Sequence, residues 1–188
     1  MPSPDTEALL KRIIDQEWVM FHSVKASEPA SCQEEEHTFR LMRWMSHSVH
    51  PDDLLEVLAD HLEEVARAGR NLMTEKYARM GGQIPPLSTH PLLGPIVAAE
   101  VAWMLALNRR YPLTFPGAGE GFRAYLAADL ETWPDRALER YHACLQQALA
   151  EGRNLVHDRY ANLFKRMGFA SIEAREQQTR MQMFKCAQ

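Results

Sequence analysis

Apolar residues return every three or four positions through most of this chain, the spacing that lines up one face of an α-helix. The first stripe, Leu10, Ile13, Ile14, Phe21 and Val24, predicts a helix from Ser3-Pro4 to about Val24, with proline preset for the first helical position. Glu17 falls on the same stripe, so a carboxylate stands where a leucine is expected. After a loop over 25–30, Ser31-Cys32-Gln33-Glu34 fits a capping box and makes Cys32 the first residue of a second helix. That helix runs through Phe39, Met42 and Arg43 to Ser46 or His47. His50-Pro51-Asp52-Asp53 opens a third, with acids in the turn where the helix dipole favours them. Its stripe of Leu55, Leu58, Leu62, Val65, Gly69, Leu72 and Met80 carries it to the stop at Gly81-Gly82 and turns Gly69 inward.

Residues 83–92, with Pro85 and Pro86, read as a linker. A fourth helix follows from Pro91 or Pro95 to about Arg110, with Ile96, Val97, Trp103 and Met104 inward and Glu100 among them. Tyr111 to Glu120 is an irregular loop, and a fifth helix covers about Gly121 to Thr132. Pro134-Asp135 opens the sixth and longest helix, which ends near Met167-Gly168. Ser171 caps a last, polar helix over about 171–184.

Two of these stripes are one sequence written twice. Gly69-Arg70-Asn71-Leu72 returns as Gly152-Arg153-Asn154-Leu155, an offset of 83 residues. The same offset pairs Pro51 with Pro134, Asp52 with Asp135, Leu62 with Leu145, Lys76 with Arg159 and Tyr77 with Tyr160. Upstream it pairs Glu17 with Glu100 and Phe39-Arg40 with Phe122-Arg123. The pattern predicts one all-α domain over 1–188, a bundle of six to seven helices. Two tandem three-helix repeats, about 10–82 and 93–168, face each other around a pseudo-twofold axis. Glycine costs a helix interior about 1 kcal/mol against alanine, so Gly69 and Gly152 imply a close approach there, either the crossing of two helices or a ligand.

Composition narrows the partners. With 46% hydrophobic and 24% charged residues the chain is an ordinary globular protein. Its net charge of −4, without a basic stripe, argues against nucleic acid. No apolar run is long enough for a membrane span, and the start lacks the signature of a signal peptide, which points to the cytoplasm. Three widely spaced cysteines without a CxxC argue against disulfides and zinc knuckles.

Glu17 and Glu100 are the most informative pair, because an ionised carboxylate inside a bundle needs a cation or several donors. Arg70 and Arg153, equally symmetric, can neutralise them as buried ion pairs; alternatively the two acids bind substrate or move protons. A dimetal site is the minor alternative, since such sites use two Glu-x-x-His motifs and the chain offers only the acidic run ending Glu36-His37. Cys32 in the first turn of a helix has the dipole and free amides that favour a thiolate; the alternative is an inert, half-buried thiol. His22 and His37 are near enough in sequence to partner it. Arg43 projects beside Glu17, to hold an anionic group or pair with an acid. Trp18, Gln33, Asn71 and Asn154 complete the set of binding candidates, although tryptophans on helices are first of all packing. His47-x-x-His50 has metal-ligand spacing, yet the adjoining proline favours a solvated turn.

Between residues 17 and 43 these features form a sequence pattern. Glu17-Trp18-x-Met20-Phe21, Ala30-Ser31-Cys32-Gln33, Thr38-Phe39 and Met42-Arg43, closed by Gly168-Phe169-Ala170-Ser171-Ile172-Glu173, resemble the bacterial and archaeal family catalogued as domain of unknown function 4125. Met45-Ser46 stand where that family favours Ser-Gln. The resemblance covers nearly the whole chain and brings no established activity with it, and any cofactor is unknown. The resulting expectation is a small-molecule enzyme or ligand-binding protein with a cleft lined by Glu17, Cys32, Arg43 and Glu100. The alternative is a scaffold in which those groups are structural ion pairs.

Overall fold

The computed structural model describes residues 3–24, 35–117 and 120–186, and every element among them is helical. Ser3 caps α1 (Pro4–His22) by accepting from the Thr6 amide at 3.1 Å. It is followed by α2 (Glu36–His47), α3 (Asp52–Arg67) and α4 (Leu72–Met80). The chain then forms α5 (Leu93–Arg110), α6 (Glu120–Leu130), α7 (Asp135–Ala150), α8 (Leu155–Arg166) and α9 (Ile172–Cys186). None is long and apolar enough to cross a membrane, among the described residues. The predicted capping box at 31–34 lies outside the described residues, within which α2 begins at Glu36.

Among the described residues nine helices replace the expected six or seven, because the repeated phrase is a corner and not a helix interior. Gly69 ends α3 with a left-handed φ of 70°, while Arg70 N–H returns to the Val65 carbonyl at 3.0 Å. Asn71 then caps α4, its Oδ1 accepting from Thr74 N–H at 3.0 Å and its Nδ2 donating to the Met20 carbonyl of α1 at 2.8 Å. The second copy behaves alike: Gly152 has φ 67°, and Asn154 caps α8 and donates to the Trp103 carbonyl of α5 at 3.2 Å. Both long predicted helices are therefore broken in two. The inward placement of Gly69 and the helix crossing are corrected as well: both glycines are exposed, and a Cβ on either would meet nothing within 4 Å.

Helix α1 packs on α2, α3 and α4, and α5 packs on α6, α7 and α8. Between these groups α3 meets α7, α2 meets α8, and α4 meets α6. One apolar cluster runs from Leu10 and Ile13 through Leu55, Ile96 and Leu138 to Leu155. A second, around Tyr111, Phe115, Val156, Phe164 and Ile172, seats α9. The polar interior lies where α2, α4 and α6 converge on α1 and α8.

The left-handed corner generates a prediction. Gly69→Ala costs about 1 kcal/mol because only glycine adopts this φ freely, and Gly69→Asn costs less despite its larger side chain, since asparagine tolerates the conformation. Urea unfolding checks the order; a close-packing requirement would reverse it.

Candidate functional site

Arg43 is buried in the interior, where α2 carries it one turn before His47. Its Nε donates to Glu17 Oε2 at 2.8 Å and its Nη2 to Glu17 Oε1 at 2.5 Å, a bidentate pair. Nη1 reaches Asp129 of α6 at 3.2 Å and the Tyr125 hydroxyl at 3.5 Å. Nη2 also lies 3.2 Å from His47 Nε2. All three guanidinium nitrogens are engaged. Asp129 is held in turn by Lys76 of α4 at 2.5 Å, and that ammonium, only 1% exposed, sits 3.6 Å from the centre of the Tyr125 ring.

The histidines continue this network. His47 Nε2 stands 3.2 Å from both Arg43 Nη2 and Glu17 Oε1, so it accepts from the guanidinium in one tautomer and donates to the carboxylate in the other. His47 Nδ1 lies 3.4 Å from His50 Nδ1, one nitrogen donating and the other accepting. His50 Nε2, also buried, has no hydrogen-bond partner.

Glu100 of α5 is completely buried and takes the Tyr141 hydroxyl of α7 and Nη2 of Arg159 from α8. Here the arginine is under-used, since its buried Nε finds no partner. Lys76 and Arg159 are 83 apart in sequence, as are Glu17 and Glu100, yet Lys76 pairs across to Asp129 while Arg159 turns to Glu100.

A cavity of about 200 Å³ opens beside this second cluster. Glu100, Asp129, Arg159, His47 and His50 line it together with Phe122, Tyr125, Trp133, Tyr141 and Tyr160. Against the Glu17 side there is a void of only about 20 Å³, lined by Arg43, Lys76, Leu58 and Met73. The offset of 83 places Leu126 opposite Arg43, Tyr141 opposite Leu58 and Val156 opposite Met73. Arg43 fills the space beside Glu17; Leu126, in the other half, leaves the space beside Glu100 open.

Of the expected residues, Glu17 and Arg43 are joined to each other, and Glu100 lines the cavity. Cys32 and Gln33 lie outside the described residues. Arg70 and Arg153 do not answer the buried acids: they pair near the surface with Glu75 at 2.6 Å and Asp158 at 2.9 Å. Asn71 and Asn154 cap helices, and Trp18 packs half-buried 5.3 Å from Phe39. His47 and His50 occupy no solvated turn, being 2% and 6% exposed. The sequence reading missed Lys76, Asp129, Tyr141 and Arg159. Only Lys76 and Arg159 left a signal, as basic residues matched across the repeat.

Burial alone would raise the Glu17 carboxyl, but Arg43 and His47 outweigh it and hold it at about 2, against an ordinary 4.5. Asp129, also opposed by burial, is held well below its usual range by Arg43 and Lys76. Burial, then His47 and Arg159, push His50 well below 6.5, so it stays neutral. Burial and Glu100 push the Tyr141 hydroxyl far up.

These shifts have defined signs. The unfolded chain protonates His50 near pH 6.5 and the folded chain does not, so stability falls as pH drops below that value. Glu17 contributes stability that is fully present above pH 4.5 and is lost as pH falls toward about 2. Urea midpoints measured from pH 8 to 3 should therefore show both steps, and His50→Phe should flatten only the upper one. An upper step unchanged in that variant contradicts a buried neutral His50.

Neither the curated proteins nor the solved structures contain a match to this chain. A family described as "Protein of unknown function (DUF4125)" matches residues 7–177, nearly the full length, and the chain belongs to that family.

Proposed function

We propose that this protein binds a small molecule in the cavity beside Glu100, and that the salt-bridged Glu17 side is the frame on which the cavity is built. The contrast between its two buried arginines carries this reading: Arg43 engages every nitrogen, whereas Arg159, one of the residues lining the cavity, keeps a buried Nε–H without a partner. Buried donors are normally paired, so a spare donor on a cavity-lining residue is what a ligand site supplies. In this reading residues 1–188 are one domain whose halves are related by a pseudo-twofold axis. Its support is that the helix contacts exchange in pairs: α1 with α3 and α5 with α7, α2 with α8 and α6 with α4, while α3 meets α7. A net charge of −4 favours a small molecule over nucleic acid, and the composition fits a cytoplasmic setting.

A scaffold whose buried charges only tie helices together accounts for Glu17 and Arg43. It leaves the cavity and the spare donor of Arg159 without a role. Binding is favoured over catalysis because Glu17 and Arg43 are saturated by each other.

One-ring fragments added to isotopically labelled protein test the proposal. Amide shifts should be confined to residues lining the cavity and should vanish in Leu126→Trp, which fills it. If no fragment moves those resonances, the scaffold stands.

A further inference from the structure

Building on that reading, we infer that the ligand is a neutral molecule of about one aromatic ring carrying a carbonyl-type hydrogen-bond acceptor. Three observations define the class. The first is size: an apolar cavity of about 150 Å³ takes benzene, and this one measures about 200 Å³. Its walls include Phe122, Tyr125, Trp133 and Tyr160, flat surfaces on which a ring packs with offset or edge-to-face geometry.

The second is the direction of the unused hydrogen bond. Arg159 Nε–H is a donor by chemistry and has no partner in the protein. Arg159 lines the cavity. The acceptors nearby are already committed, Glu100 to Tyr141 and Arg159, Asp129 to Arg43 and Lys76. The chain lacks an acceptor here, and a ligand that brings one completes it.

The third is charge. Arg43, Lys76 and Arg159 meet Glu17, Asp129 and Glu100, cation for anion, and His50 adds no charge. A carboxylate ligand would leave one buried negative charge uncompensated, and an ammonium one positive charge. Either costs several kcal/mol after relaxation. A neutral amide, lactam or ketone oxygen takes the Arg159 donor without disturbing the balance.

Four probes of similar size separate the possibilities: toluene, benzamide, benzoate and benzylamine, titrated into the full chain and followed by calorimetry and amide shifts. Arg159→Lys is the paired variant, since it keeps a cation for Glu100 while removing the Nε–H. Benzamide should bind at least about tenfold more tightly than the other three, and Arg159→Lys should erase most of its advantage over toluene. Benzoate or benzylamine binding as tightly as benzamide overturns the neutral class while the small-molecule reading survives. Toluene matching benzamide overturns the acceptor requirement, as does an advantage undiminished in Arg159→Lys. Failure of all four to bind removes the small-molecule reading itself.

Discussion

The bidentate contact between Arg43 and Glu17 is the interaction on which the interior depends. It joins α1 to α2, and through Asp129 it reaches α6 and then Lys76 on α4. Taking either charge out of water alone costs several kcal/mol, so each is tolerable only because the other is present with near-ideal geometry. The pair also holds His47, whose Nε2 stands 3.2 Å from both Arg43 and Glu17, and His47 in turn meets His50. One ion pair thus sets the charge balance and the meeting point of four helices.

Residues matched at the sequence offset of 83 have different surroundings. Glu17 and Glu100 are so matched, but the residue that covers the first is an arginine and the residue matched to that arginine is Leu126. In the first half the acid is closed over. In the second it is held by Tyr141 and Arg159, and space remains. In the proposed reading, the side around Glu17 keeps its packing and the side around Glu100 gives packing up for a cavity.

Much of this was legible in the sequence. Helical periodicity located the helices, Glu17 and Glu100 were recognised as buried acids, and Arg43 was placed beside Glu17. The repeated Gly-Arg-Asn-Leu phrase is visible in the sequence, but its spacing suggests a helix interior where the structure has a corner. A stripe at helical spacing continues across a Schellman corner almost in register, so periodicity alone does not separate a helix interior from a left-handed glycine followed by an asparagine cap. Arg70 and Arg153 were assigned to the buried acids because they were symmetric, yet the corner turns both outward. Asp129 and Tyr141 could not be found, since their positions hold Ser46 and Leu58 in the other half and their partners are far away in sequence. Such pairings belong to tertiary geometry, which one sequence does not state.

The most direct test of the central claim is a double-mutant cycle on Glu17 and Arg43, read as urea unfolding free energies at neutral pH. Arg43→Leu alone should cost about 3–5 kcal/mol, because it strands a buried carboxylate; Glu17→Leu with Arg43→Leu should cost clearly less, because both charges leave together. Costs that simply add in the double variant would contradict the account.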